Sequence, residues 1–269
     1  MSDDRVVLVT GAASGIGLHL VTAFQQRGAR VLATDIDEAA LFAASEREHW
    51  SPRLVLRRGL DVTNGEQWDE ALAALLARWS RIDLALLVAG YLRPGLVHES
   101  AAEEIHRHMD VNAKGVMLGA RIVSREMVRQ RSGHIVAIGS LASLAPVPGL
   151  ALYAASKFTV RGFCLAIADE LLPFGVDVTV MLPDAVETPM LERQRDHAEA
   201  ALTFSGLRSL TVEDVERTLF DHVLVDRPLE VALPAYRGVL AKVAGVMPQT
   251  ARLVTPMLRA FGRRRQQRR

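Results

Sequence analysis

The sequence contains a single cysteine, Cys164, and no apolar run that approaches the roughly 20 residues of a membrane-spanning helix. One cysteine cannot form an internal disulfide, which excludes a disulfide-stabilised scaffold and favours a reducing compartment. The amino-terminal segment, MSDDRVVLVT, is acidic where a signal peptide would be basic. We therefore expect a cytoplasmic protein that is neither exported nor inserted in a membrane.

Acidic residues are missing from the end of the chain, although the whole chain is nearly neutral, with 32 basic and 31 acidic side chains. Residues 235–269 contain nine Lys or Arg, which leaves 23 basic and 31 acidic side chains in residues 1–234. This asymmetry predicts two segments with different roles. We divide the chain into a domain over residues 1–234 and a basic extension over residues 235–269.

Short β-branched and apolar runs alternate with longer segments of helical period along most of the chain. Strands are predicted at residues 6–10, 30–34, 54–60, 84–88, 134–138, 177–182 and 230–233, and helices at 15–27, 37–49, 64–80, 101–130, 151–172 and 212–225. Several strands are apolar at successive positions, which is typical of parallel strands covered by helices on both faces. The sequence thus predicts an α/β fold with a doubly wound parallel sheet, whose ligand crevice lies at the carboxyl ends of the strands.

A glycine-rich turn follows the first predicted strand and opens the first predicted helix. It comprises Thr10, Gly11, Ala12, Ala13, Ser14, Gly15, Ile16 and Gly17. Glycines let the backbone turn tightly there, and free NH groups at a helix start favour a pyrophosphate. Asp35 ends the second strand, 18 residues after Gly17, where its carboxylate can bind the adenosine ribose and repel a 2′-phosphate. The alternatives are a glycine-rich turn without a ligand and an aspartate that only caps a helix.

Tyr153 and Lys157 lie four residues apart near the start of a predicted helix, a spacing that places the phenol and the ammonium on one face. We expect the cation to lower the pKa of Tyr153 from its usual value near 10, so that the phenol can act as an acid and a base. Ser140 follows the fifth predicted strand, at the edge of the sheet where the crevice lies. Tyr153 and Lys157 alone could be a chance surface pair, and Ser140 favours a catalytic set.

These residues, in this order, resemble the short-chain dehydrogenase/reductase family over residues 5–234. The resemblance implies a Rossmann-like, NAD(P)-binding catalytic domain of about seven strands, which passes hydride between a nicotinamide and a carbonyl or alcohol without a metal. It implies that Tyr153 is the general acid/base, that Lys157 tunes it and holds the nicotinamide ribose, and that Ser140 polarises the substrate oxygen. Asn112 matches an asparagine that steadies a water and the lysine in a proton relay.

The resemblance also implies the contacts to the cofactor. Asp61 and Val62 match a pair that contacts the adenine, and Asp35 matches an acidic residue associated with NAD rather than NADP. Val186 and Thr188 match contacts to the carboxamide. The implied cofactor-binding residues are Gly11, Ser14, Gly15, Ile16, Gly17, Asp35, Asp61, Val62, Ala89, Gly90, Tyr153, Lys157, Val186 and Thr188.

Two positions depart from the family pattern. Val88 stands where the family usually has an asparagine, before Ala89 and Gly90, so we expect weaker hydrogen bonding between the neighbouring strands. Asp184 stands where the loop at the nicotinamide usually has a glycine, which brings a charge beside the cofactor.

The combined interpretation is an NAD(H)-dependent oxidoreductase that acts on a secondary alcohol or ketone, as a homodimer or homotetramer by family likeness. An apolar substrate is expected, because residues 91–98, 141–152 and 190–210 are rich in apolar side chains. One alternative is an NADP(H)-dependent 3-oxoacyl or keto-lipid reductase. The other is a dinucleotide-binding regulatory or scaffolding protein, which the set of Ser140, Tyr153 and Lys157 disfavours.

The basic extension carries apolar residues at helical spacing in two groups. They are Tyr236, Val239, Leu240, Val243, Val246 and Met247, and then Leu253, Val254, Met257, Leu258 and Phe261. Basic amphipathic helices can lie on an anionic membrane surface, and the arginines of residues 263–269 would add electrostatic attraction. Alternatively, the apolar face packs over the substrate cleft or a neighbouring subunit. Contact with a nucleic acid is the third and least favoured interpretation.

Overall fold

The computed structural model describes residues 4–267, which form a seven-stranded sheet with helices on both faces. The strands are β1 (Val6–Thr10), β2 (Arg30–Asp35), β3 (Val55–Gly59), β4 (Leu84–Leu87), β5 (Gly133–Ile138), β6 (Val176–Pro183) and β7 (Glu230–Leu233). Every neighbouring pair is parallel, in the order β3-β2-β1-β4-β5-β6-β7. The predicted doubly wound α/β fold is therefore confirmed.

The helices connect successive strands and continue beyond the last one. They are α1 (Gly15–Gln26), α2 (Glu38–Arg47), α3 (Gly65–Trp79), α4 (Ala102–His108), α5 (Gly115–Gln130), α6 (Ala151–Leu171), α7 (Pro189–Glu192), α8 (Val212–Thr218), α9 (Leu224–Asp226), α10 (Ala235–Val246) and α11 (Pro248–Gln266). The chain order reverses between β1 and β4, and this switch point opens a crevice at the carboxyl ends of the strands.

Two of the predicted helices are interrupted by wider π-helical turns. The predicted helix at 101–130 is split into α4 and α5 by Met109–Lys114, and the one at 212–225 into α8 and α9 by Leu219–Val223. The apolar periodicity of the sequence did not predict these turns. The first of them contains Asn112, whose side chain hydrogen-bonds outside its own helix.

The core consists of two apolar layers, one on each face of the sheet. Along β1, Leu8 points into the layer that contains Trp68 of α3, and Val9 points into the layer that contains Phe24 of α1. All five residues of β1 are buried, which explains the continuous apolar run in the sequence. Burial of a large apolar side chain contributes about 2 kcal/mol, so this central strand is firmly held. A rigid sheet edge results, on which the crevice residues are placed.

The extension covers the carboxyl edge of the sheet. Its helices approach the domain so closely that a Cβ at Gly245 would lie 2.1 Å from the carbonyl oxygen of Leu144. The Gln266 side-chain amide donates to the carbonyls of Gln194, Arg195 and His197 and holds the end of α11. Packing over the cleft, one of the predicted alternatives, is therefore what residues 235–267 do. Arg268 and Arg269, part of the predicted basic cluster, lie outside the described residues.

One helical segment, Ala151–Phe174, is long and apolar enough to cross a membrane by length and composition alone. The sequence-based expectation that no run comes near this limit is thus wrong for this helix. The segment includes α6, which packs against β6 and carries Tyr153 and Lys157 into the crevice. We assign it as a core helix of the domain.

Candidate active site

The glycine-rich turn forms a cradle whose shape excludes side chains. Gly11 and Gly15 adopt left-handed backbone angles, with φ of 70° and 55°. A Cβ at Gly17 would lie 2.1 Å from the carbonyl oxygen of Gly11. The turn leads into α1, whose amino-terminal NH groups have no acidic residue in the first turn to satisfy them. The cradle therefore fits an anionic group such as a dinucleotide pyrophosphate.

Two aspartates line the crevice near the glycine-rich turn, at the end where the sequence predicts the adenosine. The Asp35 carboxylate accepts hydrogen bonds from the backbone NH groups of Ala13 (2.9 Å) and Asp37 (3.1 Å). One oxygen of Asp61 accepts from the backbone NH and the hydroxyl of Thr63, at 2.9 and 2.8 Å. These contacts hold both carboxylates in place and leave lone pairs for a ligand. No Lys or Arg of residues 4–267 lines this end of the crevice.

Ser140, Tyr153 and Lys157 converge at the carboxyl end of β5. The Ser140 side chain hydrogen-bonds to the Tyr153 phenol and also accepts from the backbone NH of Ala142 at 3.1 Å. The Lys157 ammonium donates to the carbonyl of Ile138 (2.7 Å) and lies 5.7 Å from the centre of the Tyr153 ring. Tyr153 and Lys157 are both buried. The three residues of the predicted catalytic set thus form one cluster.

Burial dominates the acidities in this cluster. It raises the pKa of Tyr153 to about 12, and the hydrogen bond from Ser140 only partly offsets this effect. Burial also lowers the pKa of Lys157 to about 8. The expected lowering of the pKa of Tyr153 by Lys157 is therefore wrong for the protein alone, because the ammonium is directed to the Ile138 carbonyl.

Asn112 lies behind the cluster and connects two elements. Its amide nitrogen donates to the carbonyl of Tyr91 (2.8 Å) and to the hydroxyl of Ser156 (2.9 Å), and its oxygen accepts from the Tyr91 NH (2.6 Å). The Ser156 hydroxyl in turn donates to the Tyr153 carbonyl at 2.7 Å. The loop after β4 is therefore tied to the helix that carries Tyr153 and Lys157.

The loop after β6 closes the crevice opposite the glycine-rich turn. Its residue Thr188 lies so close to Gly15 that a Cβ at the glycine would be 3.1 Å from the threonine methyl. The Thr188 hydroxyl donates to the carbonyl of Val186 at 3.1 Å. At the start of the loop, Asp184 forms an ion pair with Arg237 of α10, with 2.8 Å between Oδ2 and Nε. Burial raises the pKa of Asp184, and Arg237 opposes this effect.

The backbone NH groups at Val88 and Ala89 are satisfied although the family's asparagine is missing. The hydroxyl oxygen of Thr10, at the end of β1, accepts hydrogen bonds from the NH groups of Val88 and Ala89, both at 3.0 Å. A threonine on the neighbouring strand thus satisfies these NH groups, and β1 and β4 stay joined at the switch point.

One large cavity, of about 1220 Å³, joins these parts. All predicted site residues except Asn112 line it: Gly11, Ser14, Gly15, Ile16, Gly17, Asp35, Asp61, Val62, Ala89, Gly90, Ser140, Tyr153, Lys157, Val186 and Thr188. Beyond Tyr153 the walls are largely apolar and come from both the domain and the extension: Leu92, Val147, Leu150, Met190, Leu202, Leu240, Ala244, Val254 and Leu258.

Two contributors to the site were missed by the reasoning from sequence. Ser156 lies within the segment that carries Tyr153 and Lys157, and only its contacts to Asn112 and Tyr153 identify its role. Arg237 was counted only as part of the basic extension. Asp184, which departs from the family pattern, could have indicated that such a residue exists, because a buried carboxylate requires a cationic partner.

Comparisons with known proteins agree with this geometry. A family profile described as short chain dehydrogenase matches residues 5–199. A cyclopentanol dehydrogenase of Comamonas sp. is 35% identical over 211 residues, which cover 76% of this chain and 82% of that protein. A 2-(R)-hydroxypropyl-CoM dehydrogenase of Xanthobacter autotrophicus is 35% identical over 200 residues, or 72% and 80% of the two chains.

A solved short-chain dehydrogenase/reductase from Burkholderia phymatum, in complex with NAD, superposes with a TM-score of 0.78. It is 25% identical, and the superposition covers 90% of this chain and 92% of that one. Fold and site therefore define a Rossmann-like oxidoreductase of the nicotinamide-dependent class. The chain belongs to the short-chain dehydrogenase/reductase family. It is an enzyme that acts on CH–OH groups and transfers hydride between a nicotinamide cofactor and a secondary alcohol or ketone.

Proposed function

We propose that the enzyme uses NAD(H) rather than NADP(H). The observation that carries this proposal is the fixed Asp35 carboxylate at the adenosine end, together with the lack of a Lys or Arg there within residues 4–267. The carboxylate can accept hydrogen bonds from two ribose hydroxyls, whereas a 2′-phosphate would meet its negative charge without a compensating cation.

In this proposal Tyr153 exchanges the proton of the substrate oxygen. For carbonyl reduction the phenol donates its proton to the oxygen, and for alcohol oxidation the phenolate takes it back. A raised pKa keeps the phenol protonated at neutral pH, which suits the reductive direction. Ser140 is placed to hold the same oxygen, because its side chain already contacts the phenol. The cofactor, when bound, supplies or accepts the hydride, and its oxidised ring brings a positive charge that favours the phenolate.

Lys157 and Asn112 are proposed as supporting residues. Lys157 is placed to hold the nicotinamide ribose and to stabilise charge near Tyr153. Both amide hydrogens of Asn112 are donated, to Tyr91 and Ser156, and its oxygen accepts from the Tyr91 NH with one lone pair left, so we assign it the positioning of the loop after β4 and of α6. Asn112 is also kept as the family-implied residue for a water and the lysine. The ligands that Lys157 and Asn112 support are the cofactor and the substrate.

The substrate is proposed to be an apolar secondary alcohol or ketone larger than a few carbons. The supporting observation is the wall beyond Tyr153, to which α10 and α11 contribute Leu240, Ala244, Val254 and Leu258. Apolar walls contribute about 0.8 kcal/mol per buried methylene, so each added carbon should improve binding until the space is filled. A short alkyl substrate would leave water in this half of the cavity.

Fluorescence titration with NADH and NADPH tests the choice of cofactor. We expect NADH to bind at least about 10-fold more tightly, because one uncompensated phosphate–carboxylate contact amounts to a kcal/mol or more. D35S should reduce this preference, and D37N, which removes a neighbouring carboxylate outside the crevice lining, should leave it intact. Tighter binding of NADPH to the wild-type protein would favour the alternative, an NADP(H)-dependent 3-oxoacyl or keto-lipid reductase.

A panel of secondary alcohols and ketones of increasing alkyl length, assayed with the preferred cofactor, tests the substrate class. We expect kcat/KM to rise with length, and L240N to flatten this rise, because it places a polar group in the apolar wall. Equal kcat/KM for short and long substrates would contradict the proposal.

We further propose a cytoplasmic homo-oligomer. The single cysteine, Cys164, is free and buried, as suits a reducing compartment. The outer face of the extension exposes apolar side chains, among them Val239, Val246, Leu253 and Met257. Such a patch is typical of an interface, with a second copy as the first candidate and a membrane surface as the alternative.

A further inference from the structure

Asp184 is a charged residue in a place that disfavours charge. It follows the last residue of β6, lines the cavity, and has a side chain that is only 12% exposed. A buried carboxylate requires a cationic partner or protonation. Arg237 of the extension provides the cation, and its guanidinium is itself only 22% exposed.

The ion pair is enclosed by further contacts. A second guanidinium nitrogen of Arg237 donates to the Ser205 hydroxyl at 3.3 Å. A Cβ at Gly206 would lie 3.1 Å from Arg237 and 3.2 Å from the Asp184 carboxylate, so the glycine allows the pair to fit. The Asp184 backbone NH donates to the carbonyl of Leu233, two residues before α10 begins. The loop after β6 and the start of the extension are thus joined through backbone and side chains.

The loop in question reaches the cofactor crevice. Val186 and Thr188 lie two and four residues after Asp184 and line the cavity, and Thr188 lies against Gly15 of the glycine-rich turn. A displacement of Asp184 would therefore move the residues that face Gly15. Errors of about 1 Å in such positions can reduce turnover by about 100-fold.

We propose that Arg237 is a positioning residue for hydride transfer: through Asp184 it holds the loop at residues 184–188 against the crevice. This inference rests on the proposed placement of the nicotinamide beside that loop. The extension is then a working part of the active site, in addition to being a wall of the substrate cavity. Arg237 also neutralises a carboxylate that would otherwise favour the cationic, oxidised cofactor over the neutral, reduced one.

The test compares R237A with a matched control on the same helix. Lys242 of α10 also anchors the extension through an ion pair, at 2.6 Å from Glu230, but it lies outside the cavity lining. In K242A, Glu230 keeps Arg161 as a partner. NADH and NAD⁺ affinities are measured by fluorescence titration and calorimetry, kcat and KM by assay, and folding by thermal unfolding.

We expect R237A to weaken NADH binding and to lower kcat by about 10-fold or more, with a smaller loss for NAD⁺. K242A should stay within about 2-fold of the wild type in NADH affinity, NAD⁺ affinity and kcat, because Glu230, the partner of Lys242, keeps its ion pair with Arg161. The double variant D184G/R237A should stay within about 3-fold of D184G, because Arg237 acts through Asp184 and has no further effect once that carboxylate is removed. R237K should keep most of the affinity, since it retains the charge.

Three results would overturn the inference: R237A indistinguishable from the wild type, equal losses in R237A and K242A, or a D184G/R237A variant that is more than about 3-fold worse than D184G. If R237A does not fold, the comparison of R237K, D184G and D184G/R237A decides, with the same expectations. A wild-type protein that binds neither NADH nor NADPH would instead contradict the proposed function. The two failures are therefore distinguishable.

Discussion

Among single residues, Lys157 shows most clearly how function and stability oppose each other. Its ammonium is buried, with the Ile138 carbonyl as its hydrogen-bond acceptor, and burial lowers its pKa to about 8. The main cause of this lowered pKa is the loss of water around the charged form. The domain therefore carries an energetic penalty at the position that the proposed mechanism needs.

We expect K157M to be more stable than the wild type near pH 7. A shift from 10.5 to about 8 corresponds to about 3 kcal/mol of penalty, and loss of the hydrogen bond to Ile138 returns about 1, which leaves a gain of about 2 kcal/mol. Between pH 8 and 10.5 the unfolded lysine holds its proton and the folded one does not, so wild-type stability rises with pH. The gain should thus be full below pH 8 and fall by about 3 kcal/mol up to pH 10.5, where K157M becomes slightly less stable than the wild type. Denaturant unfolding over this range measures it, and a gain that is constant with pH would contradict the assignment.

Tyr153 should be separable from cofactor binding. We expect Y153F to lower kcat by about 1000-fold, because general acid–base catalysis contributes about 100- to 10,000-fold, while NADH affinity stays within about 2-fold. Stopped-flow assays and fluorescence titration give the two quantities. S140A is the companion variant and should lose less, since the phenol can still reach the oxygen. Unchanged turnover in Y153F would remove Tyr153 from its proposed role.

At the scale of elements, the strands were predicted to within two residues because buried parallel strands are apolar without interruption. The positions of Ser140, Tyr153 and Lys157 followed from where β5 and α6 end and begin. The π-helical turn at Met109–Lys114 was not predictable, because it depends on the contacts of Asn112 with Tyr91 and Ser156, which are distant in sequence. The pKa of Tyr153 was also missed, because a sequence does not show the depth of burial.

Glycines in two helices should respond oppositely to the same substitution. G17A adds a Cβ that would lie 2.1 Å from the Gly11 carbonyl oxygen, so the turn must move and NADH binding should weaken by about 10-fold or more. G162A, in α6, adds a Cβ with nothing within 4 Å, and should stabilise the protein by about 0.5 to 1 kcal/mol without affecting binding. NADH titration and thermal unfolding of both variants test this contrast. Normal binding by G17A would show that the cradle is not the cofactor site.

At the scale of the whole molecule, the amino-acid composition predicted where the extension begins but did not predict its contacts with the domain. Its charge asymmetry marked residues 235–269 as separate, yet the fold joins residues 235–267 to the domain through Arg237, Lys242 and Gln266. These contacts connect residues that are 12 to 72 positions apart and lie on different elements, so local patterns contain no sign of them. Only one face of the extension is used in this way.

The outer face of the extension carries exposed apolar side chains, and we expect this face to take part in assembly. Val246 and Leu253 are 82% and 80% exposed, so neither supports the core, and the variant V246E/L253E should unfold at the wild-type temperature and keep its turnover. A patch of apolar side chains this exposed is typical of an interaction surface, and two carboxylates would oppose an apolar contact there. We expect light scattering to show a homo-oligomer for the wild type and a smaller species for V246E/L253E. Flotation with anionic vesicles is the control: a loss of vesicle binding with no change in particle mass would assign this face to a membrane instead.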